Sequence, residues 1–285
     1  MLVIIGAIIV TVSVIGGFMF AGGNPGALIQ PSEFIVICGA AAGALVIMAP
    51  MSVLKGLATQ MLGTLKGSPV GKVAYEEMFK ALYELFMLGR RNGMIALEPH
   101  VVDPHASTIL QKYPAFSNNH HAVQLLVGAL RPLIDGKVKP EQLQTLVQVE
   151  LDSMEEEHHQ PIEVLTKTAD AMPGFGIVAA VLGIVITMGA INGPIEEIGH
   201  HVASALVGTF LGILISYGFL NPLVVTMTLA GQAEMGFFKA LTTAVVGFAN
   251  GMAPIMAVEV ARRGLPSDIK PTADEMETML KGIGK

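Results

Sequence analysis

The sequence is poor in charge, cysteine and tryptophan, and the first two absences limit what the protein can be. Only 14% of its 285 residues are charged, against about 25% in soluble domains. The single cysteine, Cys38, has no partner for a disulfide within the chain. The net charge of -6 argues against nucleic acid as a partner, because nucleic acids bind basic surfaces. Phosphate-binding loops, nucleophile motifs and Cys-based metal spacings are missing, so we expect no enzyme, metal site or cofactor.

What the sequence has instead is apolar residues, at 52% of the chain and a mean hydropathy of +0.60. Two apolar runs, residues 171–191 and 202–227, are joined by a polar turn at 192–201. At about 1.5 Å per residue, each can cross a hydrocarbon core of about 30 Å as a helix. Gly208 and Gly212 are spaced for close helix contact. These features predict an integral membrane protein with a second transmembrane hairpin at 169–227.

A first hairpin occupies residues 1–54, with spans at 2–21 and 34–54 around a turn at 22–33. Gly39 and Gly43 repeat the same four-residue spacing. Neither short turn contains Lys or Arg, so all 17 basic residues fall on one side, which the positive-inside rule makes cytoplasmic. The fold class is therefore all-α and polytopic, with four transmembrane helices and both termini in the cytoplasm.

The remaining residues form a cytoplasmic helical domain at 55–168 and a C-terminal helix and tail at 228–285. Proline, glycine and capping residues divide these segments into helices. We expect one helix to start at Ser68-Pro69 and a second to cover HHAVQLLVGALRPLI. A third should run from Pro140 and end before Pro161, and a fourth should cover Ala273 to Leu280.

None of the four predicted spans contains a carboxylate, which ion-translocating helices normally need. Either the protein moves no ions, or a partner supplies the titrating group and this chain supplies the walls. Thr187 and Thr209 offer polar atoms for such walls, although hydroxyls bonded to their own helix are the favoured interpretation. Arg90, Arg91 and Glu98 surround a Gly-Met turn, where they either solvate the surface or dock a partner of opposite charge pattern.

Four motifs together resemble the MotA family of flagellar motor stator proteins, within the MotA/TolQ/ExbB proton channel superfamily. They are GGNPGALIQPSE, LFMLGRRNGMIALE, PGFGIVAAVLG and VGTFLGILISYGFLNPL. They occur in the family's order and spacing, and the resemblance extends over nearly the whole chain apart from the tail. The resemblance implies a pentameric ring around the transmembrane helices of a MotB dimer, whose intramembrane aspartate binds the ion.

The resemblance also implies roles for individual residues. Pro173 and Pro222 match prolines near the proton-conducting carboxylate of MotB, and Thr209 matches a threonine near the ion path. Ala180 stands where sodium-driven relatives have threonine, which implies that the transported ion is H⁺. Arg90 and Glu98 match residues that contact the rotor protein FliG. Arg91 and, less closely, Glu150 fit the same rotor-binding role.

The resemblance implies a stator subunit in the bacterial inner membrane, in contact with lipid, that couples proton flow to torque. One alternative is an ExbB- or TolQ-like subunit energising outer-membrane processes, but such subunits typically have three spans. Another is a solute transporter or a structural membrane scaffold. A transporter should show inverted repeats or interrupted helices around a substrate site, and the sequence shows neither.

Overall fold

A computed structural model of the chain describes residues 2–67 and 70–283. The described residues form helices, turns and loops without a strand, which confirms the all-α fold. The α-helices in the described ranges are α1 Leu2–Phe20, α2 Pro31–Met48, α3 Met51–Lys66, α4 Lys72–Asn92, α5 Glu98–Val102, α6 Pro114–Ser117, α7 His120–Ile134, α8 Pro140–Gly189, α9 Ile195–Ile213, α10 Asn221–Ala249, α11 Pro254–Arg263 and α12 Ala273–Leu280. A π-helical segment, Leu214–Leu220, joins α9 to α10.

The chain divides into two compact units, whose described parts are residues 2–67 with 157–230 and residues 70–156 with 231–283. By length and composition, four helical stretches among the described residues can cross a membrane. They are Leu2–Phe20, Pro25–Met48, Pro140–Gly189 and Ile195–Ala249. The assignment of membrane and cytoplasmic domains along the chain stays a prediction.

The first unit has little core of its own and many exposed apolar side chains. None of the residues of α1 is buried. Two small clusters of buried residues hold the other helices: Ile37, Ala41, Met172, Ala179, Val207 and Leu211 in one, and Leu57, Ile162, Leu165, Val224 and Met227 in the other. Helices that are apolar all round suit a lipid environment, where no side needs a polar face.

The second predicted span, 34–54, does not correspond to one helix. Helix α2 begins earlier, at Pro31, and ends at Met48. Ala49 and Pro50 are extended, and α3 begins at Met51. A residue that precedes proline is disfavoured in the α conformation, which accounts for the break at Ala49.

The predicted helix end before Pro161 is wrong, because α8 continues through Pro161 and Pro173 to Gly189. Proline removes one hydrogen bond from a helix interior, and contacts from outside the helix can offset that loss. A Cβ atom added to Gly56 would lie 3.3 Å from the Pro161 ring, so α3 packs closely on it. The Gln60 amide, also on α3, adds a second contact to this part of α8 by donating a hydrogen bond to the carbonyl of His158 (3.2 Å), which is not the carbonyl that Pro161 leaves free.

The predicted turn at 192–201 is shorter in the structure, because α9 already begins at Ile195. Pro194 precedes this helix, and Glu196 and Glu197 lie in its first turn. Acidic residues in the first turn complement the positive end of the helix dipole. Seven of the ten residues of the predicted turn are therefore helical, and His200 and His201 belong to α9.

The second unit has a large core of aromatic and aliphatic side chains. Phe86 of α4 stacks on Phe248 of α10 with 4.3 Å between ring centroids, and Tyr75 meets Phe237 edge-on at 4.9 Å. Burial, followed by the charge of Asp268, raises the pKa of Tyr75 to about 12. Such burial of aromatic surface dominates the stability of a helical core.

Local capping signals place the helix ends of this unit well. The predicted helices at His120–Ile134 and Ala273–Leu280 are confirmed. The Asn119 side chain accepts the backbone N–H of Ala122, and Thr272 forms a reciprocal capping box with Glu275. The predicted start at Ser68-Pro69 lies outside the described residues, and α4 begins at Lys72.

Candidate functional site

Helices α8 and α9 meet through glycine. A Cβ atom added to Gly212 would lie 2.7 Å from the carbonyl oxygen of Met172, and one added to Gly176 would lie 2.8 Å from that of Gly208. Both distances are shorter than nonbonded atoms tolerate, so the two backbones approach each other as only glycine allows. The close helix contact predicted from Gly208 and Gly212 is confirmed.

Gly39 and Gly43 do not make the corresponding contact. A Cβ atom added to either one would meet nothing within 4 Å in this chain. The face of α2 that carries these glycines is exposed, whereas Ile37 and Ala41 on the same helix are buried. The spacing of Gly39 and Gly43 is thus not used for a helix contact within this chain.

Pro173 lies inside α8, half-buried, next to the glycine contact. Because proline has no N–H, the carbonyl of Ala169, four residues earlier, loses its helical donor. The hydroxyl of Ser216 donates to that carbonyl at 2.7 Å. The side-chain amide of Asn221 in turn donates to the Ser216 hydroxyl at 3.3 Å. A polar connection thus joins α8 at Pro173 to the helix that contains Pro222.

Pro222 is the second residue of α10 and is exposed. Helix α10 directly follows the π-helical segment Leu214–Leu220, so only Asn221 separates Pro222 from that segment. A π-helix pairs each N–H with the carbonyl five residues back instead of four, and such segments are frequent at functional sites. The fourth apolar helix therefore has its least regular hydrogen bonding beside Pro222.

The three other residues of the predicted ion path differ in environment. Thr187 is buried and donates to the carbonyl of Gly183 at 2.8 Å, so its hydroxyl is bonded to its own helix as expected. Thr209 is half-buried, and no hydrogen bond of its hydroxyl occurs with the described residues. Its Cα lies at the glycine contact, 3.3 Å from a Cβ added to Gly176. Ala180 is half-buried on α8, and its backbone N lies 3.4 Å from a Cβ added to Gly208.

Glu33 corrects the expectation that the apolar helices contain no carboxylate. Because α2 begins at Pro31, Glu33 lies in its first turn, and its residue is only 5% exposed. The Ser204 hydroxyl donates to Glu33 Oε1 at 3.2 Å, while Oε2 has no partner among the described residues. A proline followed by an acidic residue is a helix-start signal, and it could have placed Glu33 inside the helix.

The two stretches that form the glycine contact carry no charge of their own, although the Glu33 carboxylate of α2 lies 2.6 Å from a Cβ added to Gly208. Residues 171–191 and 202–227 contain no Asp, Glu, Lys, Arg or His. Large apolar side chains of α8 next to the contact are exposed, for example Ile177, Val178 and Val181. Such a surface can pack against lipid or another apolar helix, but it cannot itself bind and release a proton.

The predicted rotor-binding residues lie in the second unit. Arg90 and Arg91 occupy the last turn of α4, and Glu98 begins α5. All three are exposed. Gly93, with a φ of +85°, turns the chain between them, a conformation that other residues rarely adopt. The structure therefore presents these charges on either side of one tight turn.

The turn is held by the core beneath it. A Cβ atom added to Gly89 would lie 3.1 Å from Leu97 and 3.2 Å from Phe248, so the end of α4 sits directly on the core. His100, on α5, pairs with the Ser107 hydroxyl at 2.7 Å, and burial lowers the pKa of its imidazole. Arg90 and Glu98 are thus exposed side chains on a rigid support.

Glu150 has a different environment from the other three charges. It is half-buried on α8, and a Cβ atom added to Gly128 of α7 would lie 3.5 Å from its carboxylate. No hydrogen bond or ion pair of this side chain is formed with the described residues. Burial raises the pKa of Glu150 because it disfavours the charged form.

Among residues 2–67 and 70–283, no group of three or more His, Cys, Asp or Glu side chains is placed to hold a metal ion. Two functional candidates were missed by sequence reasoning, Glu33 and Ser216. A polar residue in an apolar run is the only sequence signal for Ser216.

Comparison with known proteins identifies two family models in the chain. Residues 4–93 match Motility protein A N-terminal, and residues 117–234 match the MotA/TolQ/ExbB proton channel family. Chemotaxis protein LafT of Vibrio parahaemolyticus is 39% identical over 276 residues, which are 97% of each chain. Motility protein A of Escherichia coli is 32% identical over 283 residues, which cover 99% of this chain and 96% of that protein.

Solved structures of similar fold are stator complexes. The structure of C. jejuni MotAB matches with a TM-score of 0.77 at 22% identity, over 93% of this chain and 96% of that chain. The flagellar MotAB stator complex from Bacillus subtilis matches with a TM-score of 0.72 at 22% identity, over 96% of this chain and 98% of that chain. At this identity the likeness establishes the fold.

Proposed function

The chain belongs to the motility protein A group of the MotA/TolQ/ExbB proton channel family, and from that premise we propose how it works as a stator subunit of the bacterial flagellar motor. It forms the wall of an ion path, and a MotB-type partner supplies the carboxylate that binds the ion. Five copies form a ring around the transmembrane helices of two partner chains. Ion flow turns the ring, and the second unit passes that motion to the rotor.

The observation that carries this proposal is that two helical stretches without acidic or basic residues also contain two prolines. Residues 171–191 and 202–227 contain no group that ionises near neutral pH, yet Pro173 and Pro222 interrupt the regular hydrogen bonding of the same two helices. Helices that can bend but have no ionisable group of their own can respond to a change of charge on a neighbouring chain. Pro173, Pro222, Thr209 and Ala180 are the residues that we place along this wall, with Thr187 beyond them.

The cost of an ionised aspartate inside the membrane is comparable to the free energy that one proton releases when it crosses. An ionised aspartate at the centre of a membrane helix costs about 2.5–3.5 kcal/mol on insertion scales. A proton that falls through 100 mV releases about 2.3 kcal/mol. Protonation of the partner's carboxylate and its release can therefore change which position of the ring fits that carboxylate best. The membrane potential is large enough to bias the ring in one direction.

Rotor contact is assigned to the second unit, through Arg90, Arg91, Glu98 and Glu150. The partner we propose is the rotor protein FliG, whose charged helix fits the exposed charges of Arg90, Arg91 and Glu98 on a rigid turn. Glu150, half-buried on α8, is the weaker candidate. We further propose that both termini and all basic residues lie on the cytoplasmic side of the inner membrane, as the positive-inside rule predicts. The ring contacts lipid through the exposed apolar faces of its helices.

The ion that we propose is H⁺, because Ala180 provides no hydroxyl that could coordinate Na⁺. Rotation speed should stay constant when external sodium is exchanged for potassium at constant membrane potential. A speed that follows the sodium concentration would overturn the proton assignment and leave the stator function intact.

Reconstitution tests the division of labour between the two chains. We expect vesicles that contain this chain together with its MotB-type partner to take up protons when a potential is applied. Any segment of the partner that blocks the ion path is removed for this experiment. Vesicles with this chain alone, or with a partner whose intramembrane aspartate is changed to asparagine, should not. Proton uptake by the chain alone, read with a pH-sensitive dye, would contradict the proposal.

A further inference from the structure

The hydroxyl of Ser216 bonds a backbone carbonyl that is free because residue 173 is proline. In an unbroken helix, the carbonyl of Ala169 would accept the N–H of residue 173. Pro173 removes that donor, and the Ser216 hydroxyl replaces it at 2.7 Å. Both Ala169 and Ser216 are fully buried. A buried carbonyl without a donor costs about 1–3 kcal/mol, so this bond repairs the defect that the proline introduces.

The repair comes from the least regular part of the neighbouring helix. Ser216 lies within the π-helical segment Leu214–Leu220. Asn221, which directly precedes Pro222, donates its side-chain amide to the Ser216 hydroxyl at 3.3 Å. Each atom has a compatible role, since the hydroxyl donates its one hydrogen to Ala169 and accepts from Asn221. The two prolines are thus joined by a buried polar connection across two helices.

We propose that Ser216 is the positioning residue that couples Pro173 to the π-helical segment before Pro222. Its hydroxyl holds the carbonyl that Pro173 leaves free, so bending of α8 at the proline pulls on the fourth apolar helix. This inference rests on the proposed stator function, because it assigns the coupling between the two prolines to one side chain. Ser216 lies within the motif VGTFLGILISYGFLNPL, but the motif gives this serine no role.

A double-mutant cycle tests whether the bond depends on the proline. Pro173→Ala restores an N–H to α8 that can serve the carbonyl of Ala169, so the hydroxyl becomes redundant. In the purified complex with the partner, Ser216→Ala should lower the thermal midpoint by about 3 °C. In the Pro173→Ala background the same change should cost less than about 1 °C. Equal losses in both backgrounds would overturn the inference.

Ser204→Ala is the matched control for the cycle. Ser204 is also a buried serine of the fourth apolar helix, but its hydroxyl donates to Glu33 instead of a proline-freed carbonyl. Its loss should cost the same with and without Pro173, because independent sites add. Ser216→Cys keeps the size of the side chain with a weaker donor and should lie between wild type and Ser216→Ala. A cysteine variant that matches alanine would also count against the hydrogen bond.

A motility measurement separates positioning from simple stabilisation. Stators join a single motor one at a time, so the speed of a bead-loaded motor rises in steps as the complex is produced. Ser216→Ala should reduce the height of each step by about half with the number of steps unchanged. Steps of normal height, whether fewer or equal in number, would overturn the positioning role. If the wild-type chain and its partner produce no steps at all, the proposed stator function fails instead.

Discussion

Two glycine pairs with the same spacing have opposite environments. Gly208 and Gly212 on α9 lie against the backbone of α8, whereas Gly39 and Gly43 on α2 face open space in this chain. The difference lies in the opposing helix. Helix α8 offers Gly176 and Ala179 to the first pair, and within the described chain no helix offers small residues to the second. A spacing therefore marks a surface that permits close approach, and the partner surface decides whether approach happens.

Substituting one glycine of each pair is the strongest way to break this comparison. Gly212→Leu forces a side chain into the carbonyl of Met172, 2.7 Å from the added Cβ. We expect a loss of more than about 3 kcal/mol and no assembled complex. Gly43→Leu adds a leucine to an exposed apolar face, and the complex should still assemble. Size-exclusion profiles of the fluorescently tagged complex report both results.

Failure of the Gly43→Leu complex would change the comparison in a definite way. It would show that a second copy or the partner covers this face of α2 in the assembly. Assembly of the Gly212→Leu complex would show instead that α8 and α9 separate easily. Gly43→Ala and Gly212→Ala add only the Cβ atom, and they should show the same difference in assembly to a smaller extent.

The two prolines inside α8 allow the same kind of comparison. Pro161 is buried and packs on Gly56, whereas Pro173 leaves a carbonyl that a neighbouring helix serves. Pro173→Ala should abolish rotation while the partner still copurifies, because the helix regains its own hydrogen bond and resists bending. Pro161→Ala should keep most of the rotation speed in tethered cells. Normal rotation of Pro173→Ala would remove the proline from the mechanism.

Sequence reasoning succeeded where the cause was local. The ends of α7 and α12 follow from Asn119 and from the Thr272 capping box, which act within one turn. The glycine contact of the second hairpin was also predictable, because both helices show small residues along a stripe. The exposure of Arg90 and Glu98 follows from the turn between them.

Sequence reasoning failed where the cause came from a distant helix. The continuation of α8 through Pro161 is accompanied by close packing of Gly56, on α3, against the proline ring. The bond from Ser216 to Ala169 depends on the placement of the fourth apolar helix against the third. The burial of Glu33 depends on Ser204 and Gly208 of α9. No local pattern identifies such partners, since each lies far along the chain.

Two pairs of exposed charges in the second unit can be compared by charge reversal. Arg90→Glu with Glu98→Arg should reduce torque several-fold without a change in complex yield, because charge sets the register of rotor contact. Asp135 and Lys137 form an exposed ion pair of 2.8 Å in the same unit and serve as the control. Their double reversal preserves the pair and should leave torque unchanged. Normal torque after reversal of Arg90 and Glu98 would contradict the docking role.

Substitution of Glu150 should have the smallest effect on the thermal midpoint, and that effect should depend on pH. Its pKa is raised by burial, so the folded state favours the protonated carboxyl. The ionised carboxylate therefore costs stability above the raised pKa, and this cost vanishes as pH falls below the unfolded value of 4.5. Glu150→Gln should raise the thermal midpoint at pH 7 by about 1 °C, and the gain should disappear in acid.

Glu141 on the same helix provides a control of opposite sign. It is exposed in the first turn of α8, where a negative charge is favourable. Glu141→Gln should therefore lower the midpoint slightly. If Glu150→Gln stabilises the complex and also reduces torque, the carboxylate is kept for its charge at the rotor, because residues retained for function commonly reduce stability. A stabilised variant with full torque would remove Glu150 from the rotor-binding set and leave Arg90, Arg91 and Glu98.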